Sequence, residues 1–287
     1  MEVEQTVKER LQKLSSIGSD PTGGLTRLLY SDSWLSAQHY VQDQMKNIGM
    51  KAAFDEVGNL FGRIEGSELP EETIMTGSHI DTVVNGGKLD GQFGVVASLT
   101  AVQMLQEKYG QPKRSLEVIS MAEEEGSRFP TVFWGSKNFV GIANNDEVKD
   151  IADANGKKFV DEMHRQGFDF QPQQKRRNDI KAFVEEHIEQ GSILETEKEC
   201  SCTVKKQATE NNRETASTTL FRTKDQKISI LRKSKLLDFP TMPTTAESLP
   251  LLIYFFLYTL NLYLVKCRQH HGSAFGWTIP TKHRSRQ

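Results

Sequence analysis

Cysteine is scarce in this 287-residue chain, and its placement excludes a disulfide framework. The three cysteines, Cys200, Cys202 and Cys267, all lie in the last third of the sequence. An odd number with a single C-x-C pair is typical of a protein from a reducing compartment. Cys200 and Cys202 could also ligate a metal, although the sequence lacks the second pair that usually completes such a zinc site.

The chain also lacks a large excess of charge of either sign. The formal net charge is -2, so the composition does not indicate a protein that binds nucleic acid or a membrane surface. The first residues lead into a charged helical pattern and lack the basic start and apolar stretch of a secretion signal. We therefore expect a cytoplasmic protein, and a hydrophobic fraction of 37% is enough for a core.

Hydrophobic periodicity predicts strands that alternate with helices. Apolar residues recur at helical spacing in residues 3–15, 31–49 and 94–108, and the strand candidates are residues 51–57, 59–64, 72–78, 115–121 and 181–187. This order predicts an α/β fold with a central sheet, in which ligands usually lie just beyond the strand ends. The unusual polar residues of this chain cluster at those positions.

The pattern changes near residue 199. A Ser-, Thr-, Lys- and Arg-rich stretch without a clear period extends to about residue 232, and residues 249–265 are almost entirely apolar and aromatic. We divide the chain into residues 1–198, an α/β domain, and residues 199–287, a tail of different character. The apolar run could be a membrane anchor, but it contains Pro250 and Asn261 and is barely long enough to span.

Three groups of polar residues follow strand candidates. His79 ends one strand, Asp81 lies two residues on, and Asp90 occupies a glycine-rich turn that can bring its carboxylate beside the imidazole. Asp81 could hold the second ring nitrogen of His79 and fix its tautomer. The same residue types in a loop are also common on solvated surfaces.

Three consecutive acids, residues 123–125, follow the next strand. Like charges this close are unfavourable unless a cation compensates them, although a solvated turn is the alternative interpretation. With a bound dication, one carboxylate could ligate the ion while its neighbour acts as a general base. His187 follows a further strand candidate and is a third ligand candidate, or a plain surface residue.

Together these pieces resemble a family of metal-dependent hydrolases. The matching stretches are GSHIDTVVNGGKLDGQFG (77–94), AEEEGSRF (122–129) and EHIEQG (186–191). They resemble the family of allantoate amidohydrolase, ureidoglycolate amidohydrolase and N-carbamoyl-L-amino acid hydrolase, within the wider zinc-peptidase superfamily. The resemblance covers residues 1–198 and implies a three-layer catalytic domain around a mixed sheet.

The resemblance implies a site for two divalent ions, zinc or manganese. His79 and His187 would bind one metal, Asp90 would bridge both, and Glu125 would bind the second. The remaining roles are Glu124 as the general base and Asp81 as the partner of the His79 ring. The family pattern also implies a cis peptide between Asp90 and Gly91.

The activity implied is hydrolysis of a linear ureido C–N bond, with release of ammonia and carbon dioxide. Residues 85–87 and 133–137 resemble the allantoate enzymes of purine catabolism more than the carbamoylases. An N-carbamoyl-L-amino acid hydrolase, a peptidase or deacylase, and a non-catalytic remnant remain alternatives. The resemblance implies a small-molecule ureido substrate and no nucleic-acid partner.

Residues 199–287 depart from the family pattern. The family's lid and dimerisation domain carries an Asn-His-Ala-Gly-Thr stretch, and its last metal ligand lies in a Gly-His-Asp-Ala stretch; neither is found here. His270, His271 and His283 lie in unrelated contexts. We therefore expect an incomplete catalytic domain without the lid of the family homodimer, as a frameshift near Glu199 would produce.

Overall fold

The predicted helices and strands all occur in the predicted order, with two further helices and a short 3₁₀ turn between the fourth and fifth strands. The computed structural model describes residues 2–172 and 177–190. Their helices and strands are, in chain order, α1 (Val3–Ser15), α2 (Asp32–Asn47), β1 (Lys51–Phe54), β2 (Leu60–Ile64), β3 (Leu69–His79), α3 (Gln92–Tyr109), β4 (Arg114–Met121), α4 (Trp134–Phe139), α5 (Phe159–Arg165) and β5 (Ile180–Val184), with a short 3₁₀ turn at Asn145–Glu147.

Amphipathic spacing and local caps explain the first two helices. Helix α1 buries Val7, Leu11 and Leu14, which lie on one face at spacings of four and three residues. Helix α2 begins after Ser31, whose hydroxyl accepts a hydrogen bond from the Trp34 N–H. This side-chain contact satisfies one of the backbone donors that every helix leaves free at its start.

The five strands form one mixed sheet in the order β1-β2-β4-β3-β5. Strands β1, β2 and β4 pair antiparallel, whereas β3 pairs parallel with both β4 and β5. Strand β3 therefore has a parallel neighbour on each side and is buried from Thr73 to His79. Because β3, β4 and β5 run in the same direction, their carboxyl ends meet at one edge of the sheet.

The register of the parallel strands brings the candidate residues together at this edge. His79 pairs with Met121, the last residue of β4, so the three acids begin two residues beyond the end of the neighbouring strand. Thr76 pairs with Val184 in β5. His79 and His187 each lie three residues beyond that pair, which places them side by side.

Two hydrophobic clusters stabilise the fold. The larger one joins α1, α2 and α3 to the sheet, and α3 is buried along most of its length. The smaller one is aromatic and includes Tyr30, Trp34, Trp134, Phe159 and Phe168. Ala122, at the end of β4, belongs to this second cluster and so links it to the segment that carries the three acids.

The predicted mixed α/β fold is confirmed, with shifts of a few residues at the ends of elements. Strand β5 ends at Val184, before the predicted 187, and α3 begins at Gln92 rather than 94. The change of pattern near residue 199 and the run at 249–265 lie outside the described residues. Within residues 2–172 and 177–190, no helix is both long and apolar enough to span a membrane.

Candidate metal site

A tight turn at Asp90–Gln92 places the Asp90 carboxylate at the sheet edge. The Gln92 N–H donates to the Asp90 carbonyl at 2.6 Å, and Gly91 between them has φ 62° and ψ -52°, which is a γ-turn. Glycine adopts this conformation without the steric cost that a Cβ would add. The peptides of the described residues are all trans, so the expected cis bond between Asp90 and Gly91 is wrong. The positive φ at Gly91 turns the chain instead.

The His79 ring is oriented by the segment that follows it. Its Nδ1 lies 3.1 Å from the Asp81 carbonyl oxygen and 3.5 Å from Asp81 Oδ1. The backbone carbonyl, rather than the predicted carboxylate, is therefore the nearer acceptor for an Nδ1 proton. This arrangement leaves Nε2 as the nitrogen that faces the site, and the side chain is only 1% exposed.

His187 faces His79 across the site. Its Nδ1 lies 2.8 Å from the Ile188 carbonyl, so both rings turn Nδ1 to a backbone oxygen. The two Nε2 atoms are 3.4 Å apart, and the rings are stacked with centroids 5.6 Å apart. Asp90 Oδ1 lies 3.3 Å from His187 Nε2, so two nitrogens and one carboxylate oxygen converge on one point.

The acids of residues 123–125, here called the acid turn, form the opposite wall. The Glu124 and Glu125 N–H groups donate to Asp81 Oδ2 at 2.9 and 3.0 Å. Glu123 is buried and has φ 59°, in the left-handed region of backbone conformation. Glu124 Oε2 lies 3.6 Å from His79 Nε2, and its side chain is 37% exposed, which leaves it accessible to water.

The electrostatics of the site favour an added positive charge. Burial lowers the pKa of His79, but the hydrogen bond to Asp81 and the charges of Asp81, Glu124 and Asp90 outweigh it and raise that pKa to about 10. Burial and the nearby Asp90 charge raise the pKa of Glu125 to about 7. Carboxylates gathered around one buried imidazole carry more negative charge than the site compensates.

The donor set fits a divalent metal. His79, Asp90 and His187 offer ligand atoms within 4.8 Å of one another, and so do His79, Glu124 and Glu125. Two nitrogens bound tetrahedrally at about 2.05 Å from zinc would be roughly 3.3 Å apart, close to the observed Nε2 separation. Asp90 Oδ1 is buried without a hydrogen-bond partner among the described residues, as expected of an oxygen that coordinates a cation.

All six predicted site residues therefore gather at one edge of the sheet, although their individual roles stay predictions. Sequence reasoning missed Gln190, whose Nε2 donates to Asp90 Oδ2, and the second contact of Asp81, to the backbone of the acid turn. It also missed Asn59, whose Oδ1 accepts from the Ala122 N–H. The sequence pattern predicted Asn59 only as the first residue of the strand candidate 59–64.

Comparison with known proteins identifies the family of this chain. The chain belongs to peptidase family M20/M25/M40, whose sequence model matches residues 75–278. It is 56% identical over 193 residues to the allantoate amidohydrolase of Escherichia coli K12, covering 67% of this chain and 47% of that protein. It is 46% identical over 196 residues to the allantoate amidohydrolase of Bacillus subtilis 168, covering 68% and 48%.

A solved structure shares the fold of the same region. A hydantoinase/carbamoylase family amidase from Burkholderia ambifaria is 30% identical and superposes with a TM-score of 0.62, covering 69% of this chain and 48% of the amidase. The chain thus spans about half the length of the curated relatives it matches. The family resemblance seen in the sequence motifs is confirmed.

Proposed function

We propose that this protein hydrolyses a linear ureido C–N bond, with allantoate as substrate. Water and allantoate would give ureidoglycine, ammonia and carbon dioxide, with ureidoglycolate as the further product of the same pathway. The observation that carries this proposal is the convergence of two imidazole Nε2 atoms, 3.4 Å apart, with Asp90 Oδ1, which is buried and has no hydrogen-bond partner among the described residues. Such a set of donors is typical of a catalytic zinc or manganese site.

The candidate ligands would hold two divalent cations. His79 and His187 would hold one, Glu125 would hold the second, and Asp90 would contribute to both. Two sets of ligand atoms support a site for more than one ion, because His79 belongs to one set with Asp90 and His187 and to another with Glu124 and Glu125. The contacts of both Nδ1 atoms with backbone carbonyls support this assignment, because they fix the ring directions.

Glu124 is the proposed general base. Bound divalent cations would lower the pKa of water and polarise a carbonyl oxygen. The exposed part of the Glu124 carboxylate can reach such a water, and it takes the proton as the water oxygen attacks the ureido carbon. The same carboxyl group then returns the proton to the departing nitrogen.

The choice of allantoate rests on likeness. The two allantoate amidohydrolases share 56% and 46% of the compared residues with this chain, whereas the N-carbamoyl-L-amino acid amidohydrolase of Geobacillus stearothermophilus shares 36%. The stretches 85–87 and 133–137 favour the same assignment. An N-carbamoyl-L-amino acid hydrolase is the alternative enzyme, and a remnant without turnover is the alternative from another class.

Ammonia release from the purified full chain tests the proposal. Allantoate, N-carbamoyl-L-amino acids and dipeptides would be assayed side by side with added Mn²⁺ or Zn²⁺. We expect release from allantoate, and we expect Glu124→Ala to lower it at least a thousandfold with metal binding retained. Glu68→Gln is the matched control, because this exposed acid precedes β3 at its far end from His79.

Each other outcome has a distinct meaning. Release from the carbamoyl compounds alone would establish the alternative enzyme, and release from dipeptides alone would establish a peptidase. A chain that binds metal but hydrolyses none of the three would support the remnant. Full activity of Glu124→Ala would overturn the role assigned to this residue.

Further expectations accompany the proposal. We expect zinc or manganese as the metal, a role in allantoin degradation, and a cytoplasmic location. The family homodimer depends on a lid and dimerisation domain whose motifs are missing from residues 199–287, which lie outside the described structure. Translation of the gene in its other two reading frames beyond codon 199 tests the frameshift. Lid motifs in neither frame would rule it out.

A further inference from the structure

A buried polar network joins the β1–β2 turn to the start of the acid turn. Asn59 is fully buried, and its Oδ1 accepts a hydrogen bond from the Ala122 N–H at 2.9 Å. Its Nδ2 donates to the Gly135 carbonyl at 3.0 Å and to Asp55 Oδ2 at 2.7 Å. One amide thus satisfies backbone groups at the end of β4 and in the first turn of α4.

Asn59 is itself held in place. Asp55 Oδ1 accepts from the backbone N–H groups of Val57 and Asn59, at 3.1 and 2.8 Å. Asp55 Oδ2 also accepts from Asn138 Nδ2 at 3.2 Å. A side chain with all its polar atoms paired in a buried network has one strongly preferred orientation.

The backbone of Ala122 is fixed from both sides. Its N–H bonds Asn59, and its carbonyl accepts from the Gly135 N–H at 2.9 Å. The packing leaves no spare room, because a Cβ added at Gly135 would lie 2.2 Å from Asn59 Oδ1 and 2.4 Å from the Ala122 oxygen. The acid turn follows directly, and at its far end Asp81 holds the Glu124 and Glu125 N–H groups.

We propose that Asn59 is a positioning residue, which fixes the start of the acid turn so that Glu124 and Glu125 reach the metal site. This inference rests on the proposed function, since that function gives Glu124 and Glu125 their roles. A purely structural Asn59 would only close the hairpin, and its loss would lower the stability of the whole domain evenly. If Asn59 is a positioning residue, its loss should increase the motion of the acid turn more than that of the rest of the domain.

Hydrogen exchange of the metal-free full chain separates these two roles. The diagnostic amides belong to Glu124 and Glu125, because Asp81 holds them and Asn59 does not touch them. In Asn59→Ala we expect these amides to exchange at least tenfold faster, relative to the change at amides in the middle of β3. An equal change at β3 would show uniform destabilisation and overturn the proposal.

Asn138→Ala is the matched control. It removes a buried asparagine from the same network, but its side chain bonds Asp55 and Glu56 rather than Ala122. We expect the exchange rates of the Glu124 and Glu125 amides to stay within threefold of those in the wild type, again relative to the change at amides in the middle of β3. If both variants released the acid turn equally, the specific role of Asn59 would be refuted.

Gly135→Ala provides a second perturbation if Asn59→Ala fails to fold. Alanine has a higher helix propensity than glycine, so the substitution does not weaken α4 by itself. Faster exchange of the Glu124 and Glu125 amides in this variant would therefore result from the contact of the new Cβ with Asn59 and Ala122. Calorimetric titration with Mn²⁺ adds a second readout, with affinity at least tenfold weaker in Asn59→Ala than in Asn138→Ala. The exchange experiment uses neither metal nor substrate. Absence of allantoate turnover would therefore refute the proposed function and leave this test intact.

Discussion

Replacing Gly91 by alanine tests whether the site depends on the contact between the γ-turn and His79. A Cβ at Gly91 would lie 2.4 Å from both Cε1 and Nε2 of the imidazole. The ring is buried and stacks on His187, so it can make room only by moving away from its present position. Such overpacking costs about 1–3 kcal/mol. The positive φ of 62° adds a backbone cost of about 1–3 kcal/mol.

Gly110→Ala is the control for alanine at a positive φ. Gly110 has φ 74° at the other end of α3, and a Cβ there would meet nothing within 4 Å. The ψ angles differ, -52° at Gly91 and -146° at Gly110, so the backbone costs are not equal and the stability of each variant is compared with that of the wild type. In urea unfolding we expect Gly91→Ala to be less stable than the wild type by about 2–6 kcal/mol, the sum of the packing and backbone costs.

Metal affinity gives the decisive comparison. Displacement of Nε2 should weaken Mn²⁺ or Zn²⁺ binding at least tenfold in Gly91→Ala relative to Gly110→Ala, because about 1.4 kcal/mol of lost binding free energy is a factor of ten. Isothermal titration calorimetry measures this difference directly. Equal affinities would refute the assignment of His79 Nε2 as a ligand, even if the stabilities differed as expected.

Two further predictions concern Asp81 and the half-buried Asp55. Asp81→Ala leaves the Glu124 and Glu125 N–H groups without their acceptor, so we expect metal affinity to fall about 10–100-fold in calorimetry; an unchanged affinity would contradict this. Burial raises the pKa of Asp55 from 3.8 to about 6, so the folded state holds this proton more tightly than the unfolded state. Its contribution to stability is complete below pH 3.8 and is lost as the pH rises through about 6, by up to about 3 kcal/mol. The difference in unfolding free energy between wild type and Asp55→Asn should therefore shrink from pH 4 to pH 7, and a constant or growing difference would contradict the prediction.

The sequence predicted those parts of the site that follow from strand order. His79 and His187 each follow an apolar strand, and parallel strands deliver such residues to the same edge of a sheet. Asn59 was not predictable, because its partner Ala122 is 63 positions away and depends on how β2 and β4 pair. Local pattern carries no information about such a hydrogen bond. The cis peptide was inferred from the family alone, and the γ-turn at Gly91 takes its place.

The two halves of the site are joined by a single carboxylate. Asp81 Oδ1 lies 3.5 Å from the His79 ring, and Oδ2 accepts both N–H groups of the acid turn. Since β3 and β4 are parallel neighbours in register at His79 and Met121, any sliding between them would displace the histidine and the acids by different amounts. Asp81 opposes that sliding because it follows β3 and its Oδ2 accepts both N–H groups of the turn that follows β4. The spacing between an imidazole and a carboxylate ligand therefore depends on the tertiary structure around Asp81 as much as on the ligands themselves.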